Sequence, residues 1–205
     1  MPKIYALFTL LLILNFNALR AEAQTAKDYL NEGNRQFKLL NYPAAIAAYS
    51  KALRSKPDLA EAYNNRGLSQ SCLKNYAQAI LDYNKALELA PQQADLYYNR
   101  GIVLAAQGNQ SGAIKDYSRA IDLNPAYGAA FFNRGLAKGL LNLNKAAIPD
   151  FTKAIQLDPT DAAAYYLLGM AQFNIGDQQS SCVNWQKASQ LGHAKAQVLL
   201  TQKCK

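Results

Sequence analysis

The hydrophobic and small residues of this chain recur with a period of 34 residues. Counted from residue 26, five windows lie in register: 26–59, 60–93, 94–127, 128–161 and 162–195. The fourth and twenty-fourth places of a window are always aromatic, as in Tyr97 and Tyr117 of the third window. The eighth place is always glycine, and the twentieth and twenty-seventh places hold small residues. A fixed period of this length is typical of a protein built from stacked structural repeats.

Each window predicts two helices joined by a tight turn. The predicted breaks fall at residues that favour turns, near Asn41, Asn75, Gly108, Asn142 and Gly176. A proline, which cannot continue a helix, ends each of the first four windows. Large residues alternate with small ones, as two closely crossing helices require. After a turn at residues 191–192, residues 193–204 predict one further helix that caps the open end of the last repeat.

This order and spacing of aromatic, glycine, alanine and proline residues resembles the tetratricopeptide repeat over residues 26–195. The resemblance implies an all-α fold, a right-handed superhelical solenoid of five helix-turn-helix repeats plus a C-terminal capping helix. Residues 188–197, ASQLGHAKAQ, also resemble the boundary of a Sel1-like repeat, a close relative. The first and fifth windows depart from the pattern, at Glu32 and Ser181 for example, as expected of repeats that end a stack.

Charged residues at two places of the window vary together. The three central windows carry arginine at the seventh place and aspartate at the twenty-third, and the outer windows lack both: Arg66 with Asp82, Arg100 with Asp116, and Arg134 with Asp150. We predict an ion pair between the two helices of each central repeat, partly buried and bidentate. The alternative is that three surface arginines bind a ligand. Ion pairing would remove these cations from the candidate binding groups.

The resemblance also implies that the first helices of the repeats line a concave groove. Its expected lining is polar toward the N-terminus and apolar and aromatic toward the C-terminus. The candidate groove residues are Asn31, Asn34, Asn65, Tyr98, Asn99, Phe132, Asn133, Leu136, Tyr166, Met170 and Phe173. We expect this groove to bind an extended or helical segment of another protein, with Phe132, Tyr166 and Phe173 as apolar anchors.

Asparagine recurs at the sixth place of the three central windows and would form a ladder along the groove: Asn65, Asn99 and Asn133. Carboxamides offer both donors and acceptors to a peptide backbone. The alternative is that asparagine is simply the usual residue of the family there. The clamp of Lys, Asn and Arg by which some tetratricopeptide domains bind chaperone C-termini is not reproduced, because its basic places hold Leu30, Asp95 and Asn99.

The N-terminus predicts a signal peptide over residues 1–23. Lys3 gives a positive start, residues 4–16 are mostly apolar, and Ala21 and Ala23 form a small-x-small cleavage pattern. The apolar run is short for a transmembrane helix, which needs about 20 residues. An uncleaved anchor is the alternative. We therefore expect an exported protein, periplasmic in a Gram-negative bacterium and secreted otherwise, with no membrane span after cleavage.

The cysteines agree with export. Cys182 and Cys204 lie at similar distances on either side of the turn at residues 191–192, so antiparallel helices would bring them together. In an oxidising compartment we expect a disulfide between them. Cys72 is left single and is interpreted as a small packing residue.

Composition and charge narrow the function. Half of the 205 residues are apolar, which allows a sizeable core. The net charge of +8 would permit nucleic acid as a partner, but the cations are spread along the chain and the export signal disfavours it. His193 is the single histidine, and no metal-binding spacing or phosphate loop occurs, so we expect no cofactor, metal or enzymatic activity.

The main alternative to a free binding module is a structural subunit of an envelope assembly, such as a pilus, secretion or outer-membrane complex. An enzyme is the least favoured alternative.

Overall fold

The computed structural model describes residues 24–204, and the predicted signal peptide, residues 1–23, lies outside them. Within the described range the chain forms helices joined by short turns, without a strand. The predicted all-α class is therefore confirmed. No helix of this range is long and apolar enough to cross a membrane. The chain divides into two compact units between Pro91 and Gln92.

Unit 1 contains two helix-turn-helix pairs within its described residues. The first pair is α1, residues 24–38, and α2, Tyr42–Ser55. The second pair is α3, Ala60–Cys72, and α4, Tyr76–Leu89. The core of the first pair and α3 is built from aromatic, aliphatic and small side chains: Leu30, Ala45, Tyr49, Ala52, Leu53 and Ala62.

Unit 2 contains three such pairs and a final helix. The helices are α5 (Ala94–Ala106), α6 (Gln110–Leu123), α7 (Gly128–Leu140), α8 (Asn144–Leu157), α9 (Ala162–Asn174), α10 (Gln178–Gln190) and α11 (Ala194–Lys203). Each helix packs against the next one along the chain. The turns within the pairs fall at the predicted breaks, because residues that tolerate a left-handed backbone stand there. Gly108 and Gly176 have φ values of 80° and 87°, and Asn142 has a φ of 58°.

The conserved spacing of glycine and aromatic residues within the chain has a steric cause, which the fourth repeat illustrates. A Cβ atom added to Gly135 of α7 would lie 2.9 Å from Cε1 of Phe151 on α8, which is closer than real contacts of this kind. Phe151 and the neighbouring Ala147 are buried. The missing side chain at the eighth place therefore lets the two helices of the pair approach closely around the aromatic ring.

The final helix, α11, closes the end of unit 2. Its N-cap is His193, whose Nδ1 accepts a hydrogen bond from the backbone N–H of Ala196. Cys182 on α10 and Cys204 after α11 form a disulfide, with Cα atoms 5.7 Å apart, so the predicted disulfide is confirmed. Beneath α11 lies a buried cluster that contains Trp185. The helix therefore covers the aromatic core of the last pair.

Cys72 lies where α3 ends. It is a free cysteine and it is exposed. The interpretation of Cys72 as a small packing residue is therefore wrong, because the thiol stands at the turn between α3 and α4 instead of on a buried face of a helix.

Candidate functional site

One face of α7 is open along the whole helix, and this face is the candidate binding surface. The helix packs against α6 and α8 and also contacts α5 and α9. Ala130, Gly135 and Ala137 are its buried residues. Seven other residues of α7 line three cavities: Gly128, Ala129, Phe132, Asn133, Leu136, Gly139 and Leu140. We call these seven residues, with the residues of unit 2 that line the same cavities, the α7 groove.

The three cavities form one surface because they share lining residues. Asn133 lines both the first cavity, of about 510 Å³, and the second, of about 370 Å³. Leu136 and Leu140 line both the second cavity and the third, of about 200 Å³. Since an α-helix rises 1.5 Å per residue, the distance along α7 from Ala129 to Leu140 is about 16 Å. A groove of this length suits a short linear segment of a polypeptide.

The end of the α7 groove near Leu140 is apolar. Ile102 on α5 lines the second cavity, and Tyr166 and Met170 on α9 line the third. Leu140 is 62% exposed and Ile102 is 39% exposed. Within residues 24–204, no charged side chain lines these two cavities. Covering such side chains would release about 25 cal/mol for each Å² of apolar surface removed from water.

The other end of the α7 groove combines aromatic rings with two carboxylates. Tyr98, Phe132, Asp158 and Asp161 line the first cavity there. Asp161 accepts hydrogen bonds from the backbone N–H groups of the first turn of α9, as an N-cap does. Hydrogen bonds from the hydroxyl and the backbone N–H of Thr160 lower the pKa of Asp158. Asp158 is therefore ionised at neutral pH.

Tyr98 is held in place by its neighbours. Its ring lies 4.8 Å from the ring of Tyr127 and 5.9 Å from that of Tyr117, measured between centroids. Its hydroxyl oxygen accepts a hydrogen bond of 3.0 Å from Nδ2 of Asn133. Burial raises the pKa of Tyr98. The aromatic wall of the first cavity is thus a fixed surface, with little conformational freedom to lose when a ligand binds.

The three residues expected as apolar anchors have different surroundings. Phe132 is partly buried and packs edge-on against Phe151 at 6.1 Å while it lines the first cavity. Tyr166 lines the third cavity and stacks on His193 at 4.2 Å. Phe173 contacts Trp185, and the ammonium group of Lys203 on α11 lies 5.8 Å from its ring. Phe173 therefore lies beside the capping helix and lines none of the three cavities.

The candidate residues of unit 1 form a separate polar cluster. Oδ1 of Asn34 accepts hydrogen bonds from the Tyr49 hydroxyl at 2.8 Å and from Nδ2 of Asn65 at 3.0 Å. Asn34 and Asn65 line a cavity of about 210 Å³ in this unit, together with Phe37, Lys38, Tyr49 and Leu68. Asn31 on α1 is exposed. This cluster is satisfied mainly by its own members and offers fewer apolar contacts than the α7 groove.

The predicted asparagine ladder uses much of its donor capacity inside the chain. Nδ2 of Asn65 donates to Asn34, and Nδ2 of Asn133 donates to Tyr98. Asn99 lies on α5 and is partly buried. The carboxamides of Asn65 and Asn133 therefore hold the neighbouring side chains of Asn34 and Tyr98 in position.

The arginine and aspartate of each central repeat lie in direct contact. Nη2 of Arg66, Arg100 and Arg134 lies 2.6–2.7 Å from a carboxylate oxygen of Asp82, Asp116 and Asp150. Nε of each arginine also donates to its aspartate, so each pair is bidentate. The hydrogen bond with the carboxylate raises the pKa of Arg66 and of Arg100. These cations are occupied within their repeats and are not available as ligand-binding groups.

Three side-chain contacts of these ion pairs were not predicted from the sequence. Nη1 of Arg66 donates to the hydroxyl of Ser50 on α2, and Nη1 of Arg134 donates to that of Ser118 on α6. Nζ of Lys138 lies 2.7 Å from Asp150. The signal for the serines was the polar row at the twenty-fifth place, which holds Ser50, Asn84, Ser118 and Thr152. Asp158 and Asp161 gave no such signal, because they stand at the end of the fourth window, in the connection between α8 and α9.

No group of three or more His, Cys, Asp or Glu side chains that could hold a metal ion occurs in the described part of the chain. The single histidine, His193, acts as the N-cap of α11. The side chains that the structure gathers in the α7 groove are thus aromatic, aliphatic, carboxamide and carboxylate groups, which are suited to binding a segment of polypeptide.

Comparison with known families identifies the repeat. The family model described as Tetratricopeptide repeat matches residues 60–93 and 94–127. A second model, described as TPR repeat, matches residues 33–71 and 140–176. Together the matches cover more than half of the chain, which therefore belongs to the tetratricopeptide repeat family. Neither model extends past residue 176, so the Sel1-like character of the C-terminal end stays a prediction.

Solved structures agree with this fold. A crystal structure of MamA protein is 26% identical, with a TM-score of 0.77, and covers 85% of this chain and 95% of that one. YrrB, described as a TPR protein with an unusual peptide-binding site, is 24% identical with a TM-score of 0.77, over 92% of this chain and 97% of its own. The pilF protein of Pseudomonas aeruginosa is 20% identical with a TM-score of 0.73, over 84% and 78%. A search of curated protein sequences finds no match.

Proposed function

We propose that this chain is an exported, non-catalytic interaction module that binds a segment of another protein in the α7 groove. The observation that carries the proposal is the open face of α7, whose cavities are joined through Asn133, Leu136 and Leu140. Tetratricopeptide repeats generally build interaction scaffolds, and stacked repeats present extended surfaces to their partners.

The dimensions of the α7 groove define what fits. A length of about 16 Å accommodates about five residues of an extended chain, which rises 3.3 Å per residue, or about three turns of a helix. Leu140 and Ile102 offer apolar contacts at one end. Among residues 24–204, no hydrogen bond uses the carboxamide oxygen of Asn133, so this oxygen can accept one from the backbone of a bound segment.

The disulfide supports the exported location. Cys182 and Cys204 are joined within unit 2, and structural disulfides persist in oxidising compartments such as the periplasm and the extracellular space. The predicted signal peptide over residues 1–23 is a second, independent reason for export. The partner is therefore expected among exported or envelope proteins.

A second surface favours the alternative function of a subunit in an envelope assembly. The exposed apolar side chains Leu141, Leu143 and Ile175 lie in the turns of the last two repeats. Leu143 and Ile175 line a further cavity of about 350 Å³, which adjoins the third cavity of the α7 groove through Asn144 and Asn174 and is also lined by Asn142, Lys145 and Ala146. If a partner bound stably at these turns, the chain would be a structural subunit, and the α7 groove would have no role in binding.

The test compares two exposed apolar residues on different surfaces. Leu140 in the α7 groove is 62% exposed and Val183 on α10 is 63% exposed, so an aspartate at either position should leave the fold intact. Purified full-length chain carrying Leu140→Asp, Val183→Asp or neither would be used to capture proteins from an envelope extract. We expect the wild type and Val183→Asp to retain the same specific partner and Leu140→Asp to lose it. Retention by Leu140→Asp would contradict the proposal, and loss on Leu143→Asp instead would support the assembly subunit.

A further inference from the structure

We infer that the segment bound in the α7 groove carries a positively charged side chain about five residues away from an apolar anchor. The positive side chain would occupy the first cavity, between the aromatic rings and the carboxylates of Asp158 and Asp161. The apolar anchor would cover Leu140 and Ile102 at the other end. This inference rests on the proposed function and adds the chemistry of the partner to it.

The charge of the α7 groove is opposite to that of the protein. The chain as a whole has a net charge of +8, yet the charged side chains lining the three cavities within residues 24–204 are Asp158 and Asp161 alone. The nearby arginines are paired inside their repeats, as Arg134 is with Asp150. An acidic segment would therefore be repelled at this end of the groove, and a basic one would be attracted.

Both carboxylates have an oxygen left for a ligand. The hydrogen bonds from Thr160 to Asp158 are accepted by Oδ1, and so are those from Ala163 and Ala164 to Asp161. Oδ2 of each aspartate takes part in no hydrogen bond or ion pair within the described chain. The same bonds to Oδ1 hold the two side chains in place, so little entropy is lost when a cation binds to the remaining oxygens.

The aromatic wall suits a guanidinium group in particular. Tyr98 and Phe132 line the first cavity together with the two carboxylates. A planar guanidinium can stack on an aromatic ring and donate hydrogen bonds to a carboxylate at the same time. The chain uses this arrangement within its own repeats, where the guanidinium of Arg134 lies 5.5 Å from the ring of Phe131 while it pairs with Asp150.

The spacing of the two features follows from α7. Ala129 lines the first cavity and Leu140 lines the second and third, and they are about 16 Å apart along the helix. An extended chain covers this distance in about five residues. A segment in which a basic and an apolar side chain stand five positions apart can therefore fill both ends at once.

Synthetic peptides test the inference. The probe is the fluorescein-labelled peptide Gly-Arg-Ser-Ala-Ser-Ala-Leu-Leu-Gly, made also in the reverse order because the groove does not impose a direction. Matched peptides replace Arg by Gln, or both Leu by Ser. Fluorescence anisotropy with the purified full-length chain should show that the better-binding order loses affinity about threefold when Arg becomes Gln, since Asp158 is exposed and ion pairs at exposed sites are weak. The preference should weaken as the salt concentration rises.

An isosteric variant supplies the matched protein control. Asn is as good an N-cap as Asp and keeps the bonds accepted by Oδ1, so Asp158→Asn with Asp161→Asn should preserve the helical circular dichroism spectrum. We expect this double variant to bind the Arg and Gln peptides equally, at the affinity that the wild type has for the Gln peptide. The variant thereby separates the charge of the two side chains from their structural role.

Three results would overturn the inference in distinguishable ways. Equal affinity of the wild type for the Arg and Gln peptides, with the dependence on Leu intact, would contradict the requirement for a basic side chain. It would leave the proposed binding of a segment in the α7 groove standing. Affinity that does not depend on Leu, or no binding of either peptide order, would contradict the proposed function itself. A doubled mass in light scattering that Leu140→Asp returns to a monomer would make a second copy of this chain the occupant.

Discussion

Arg134 and Asp150 form a bidentate ion pair between α7 and α8, with Nη2 of the arginine 2.6 Å from Oδ1 of the aspartate. Nη1 of Arg134 also donates to the hydroxyl of Ser118 on α6 at 3.0 Å. One guanidinium group thus connects the second helix of one repeat with both helices of the next. Because α7 is the floor of the proposed binding groove, this pair fixes the position of the surface that a partner would meet.

Removing the carboxylate of this pair should destabilise unit 2. Asp150 is only 2% exposed, and Asp150→Ala would leave Arg134 and Lys138 without their shared anion. We expect a loss of about 2–3 kcal/mol in the free energy of unfolding, somewhat below the value for a fully buried pair because Arg134 keeps some contact with water. Urea denaturation followed by circular dichroism measures it. Glu32→Ala, which breaks the exposed pair with Arg35, is the control and should change little.

Two glycines of the same helix should respond in opposite directions to alanine. A Cβ at Gly135 would lie 2.9 Å from Phe151, whereas nothing lies within 4 Å of a Cβ at Gly139. We expect Gly135→Ala to cost about 1–3 kcal/mol through overpacking. Gly139→Ala should gain about 0.5–1 kcal/mol, since alanine restricts the unfolded chain. Thermal unfolding of both variants measures this, and a stabilising Gly135→Ala would show that α7 and α8 are less closely packed than described.

Breaking the disulfide should loosen the capping helix. The link between Cys182 and Cys204 closes a loop of 22 residues, which corresponds to about 3 kcal/mol in the chain-entropy account. We expect Cys182→Ser with Cys204→Ser to raise hydrogen exchange in α11 before it affects α5 or α6. A reducing agent should have the same effect on the wild type and none on the variant. Cys72→Ser is the control, because this exposed cysteine is free.

Alkaline pH should destabilise the protein through its buried tyrosines. Burial raises the pKa of Tyr49 to about 12 and also raises the pKa values of Tyr83 and Tyr117. The unfolded chain loses these protons near pH 10, so the stabilisation is complete below about pH 10 and declines as the pH rises toward the folded pKa. Urea midpoints at several pH values measure the decline.

Tyr83→Phe gives a specific control for this decline. The hydroxyl of Tyr83 is buried and has no hydrogen-bond partner in the described chain, so its removal should cost little at neutral pH. Between pH 9 and pH 11, the free energy of unfolding of the variant should fall less than that of the wild type. An unchanged slope would mean that other groups cause the alkaline unfolding.

Much of this structure can be predicted from the sequence because it follows from the repeat. Glycine at the eighth place and an aromatic residue at the twenty-fourth meet in each pair, as Gly135 and Phe151 do, so the period alone predicts the helices and their order. Arg134 and Asp150 can be paired from sequence because both are present or both absent in a given window.

Other features depend on three-dimensional details that the period does not contain. Asp158 and Asp161 lie at the end of the fourth window, between α8 and α9, and only the position of α7 beside them forms the first cavity. Phe173 occupies a place expected to face the groove, but α11 and Lys203 lie against it. Cys72 is exposed because α3 ends at that residue. In each case the outcome is decided by a helix end or a neighbouring element, not by the repeat itself.

Site-specific photo-crosslinking in cells tests the central claim most directly. A photoreactive amino acid would replace Leu140 or Ile102 in the α7 groove, and Val183 on α10 as the control of matched exposure. We predict that the two groove positions crosslink to the same short segment of one exported protein and that Val183 does not. Crosslinks of equal yield from Val183, or none from Leu140 and Ile102, would contradict the claim that the α7 groove binds a segment of another protein.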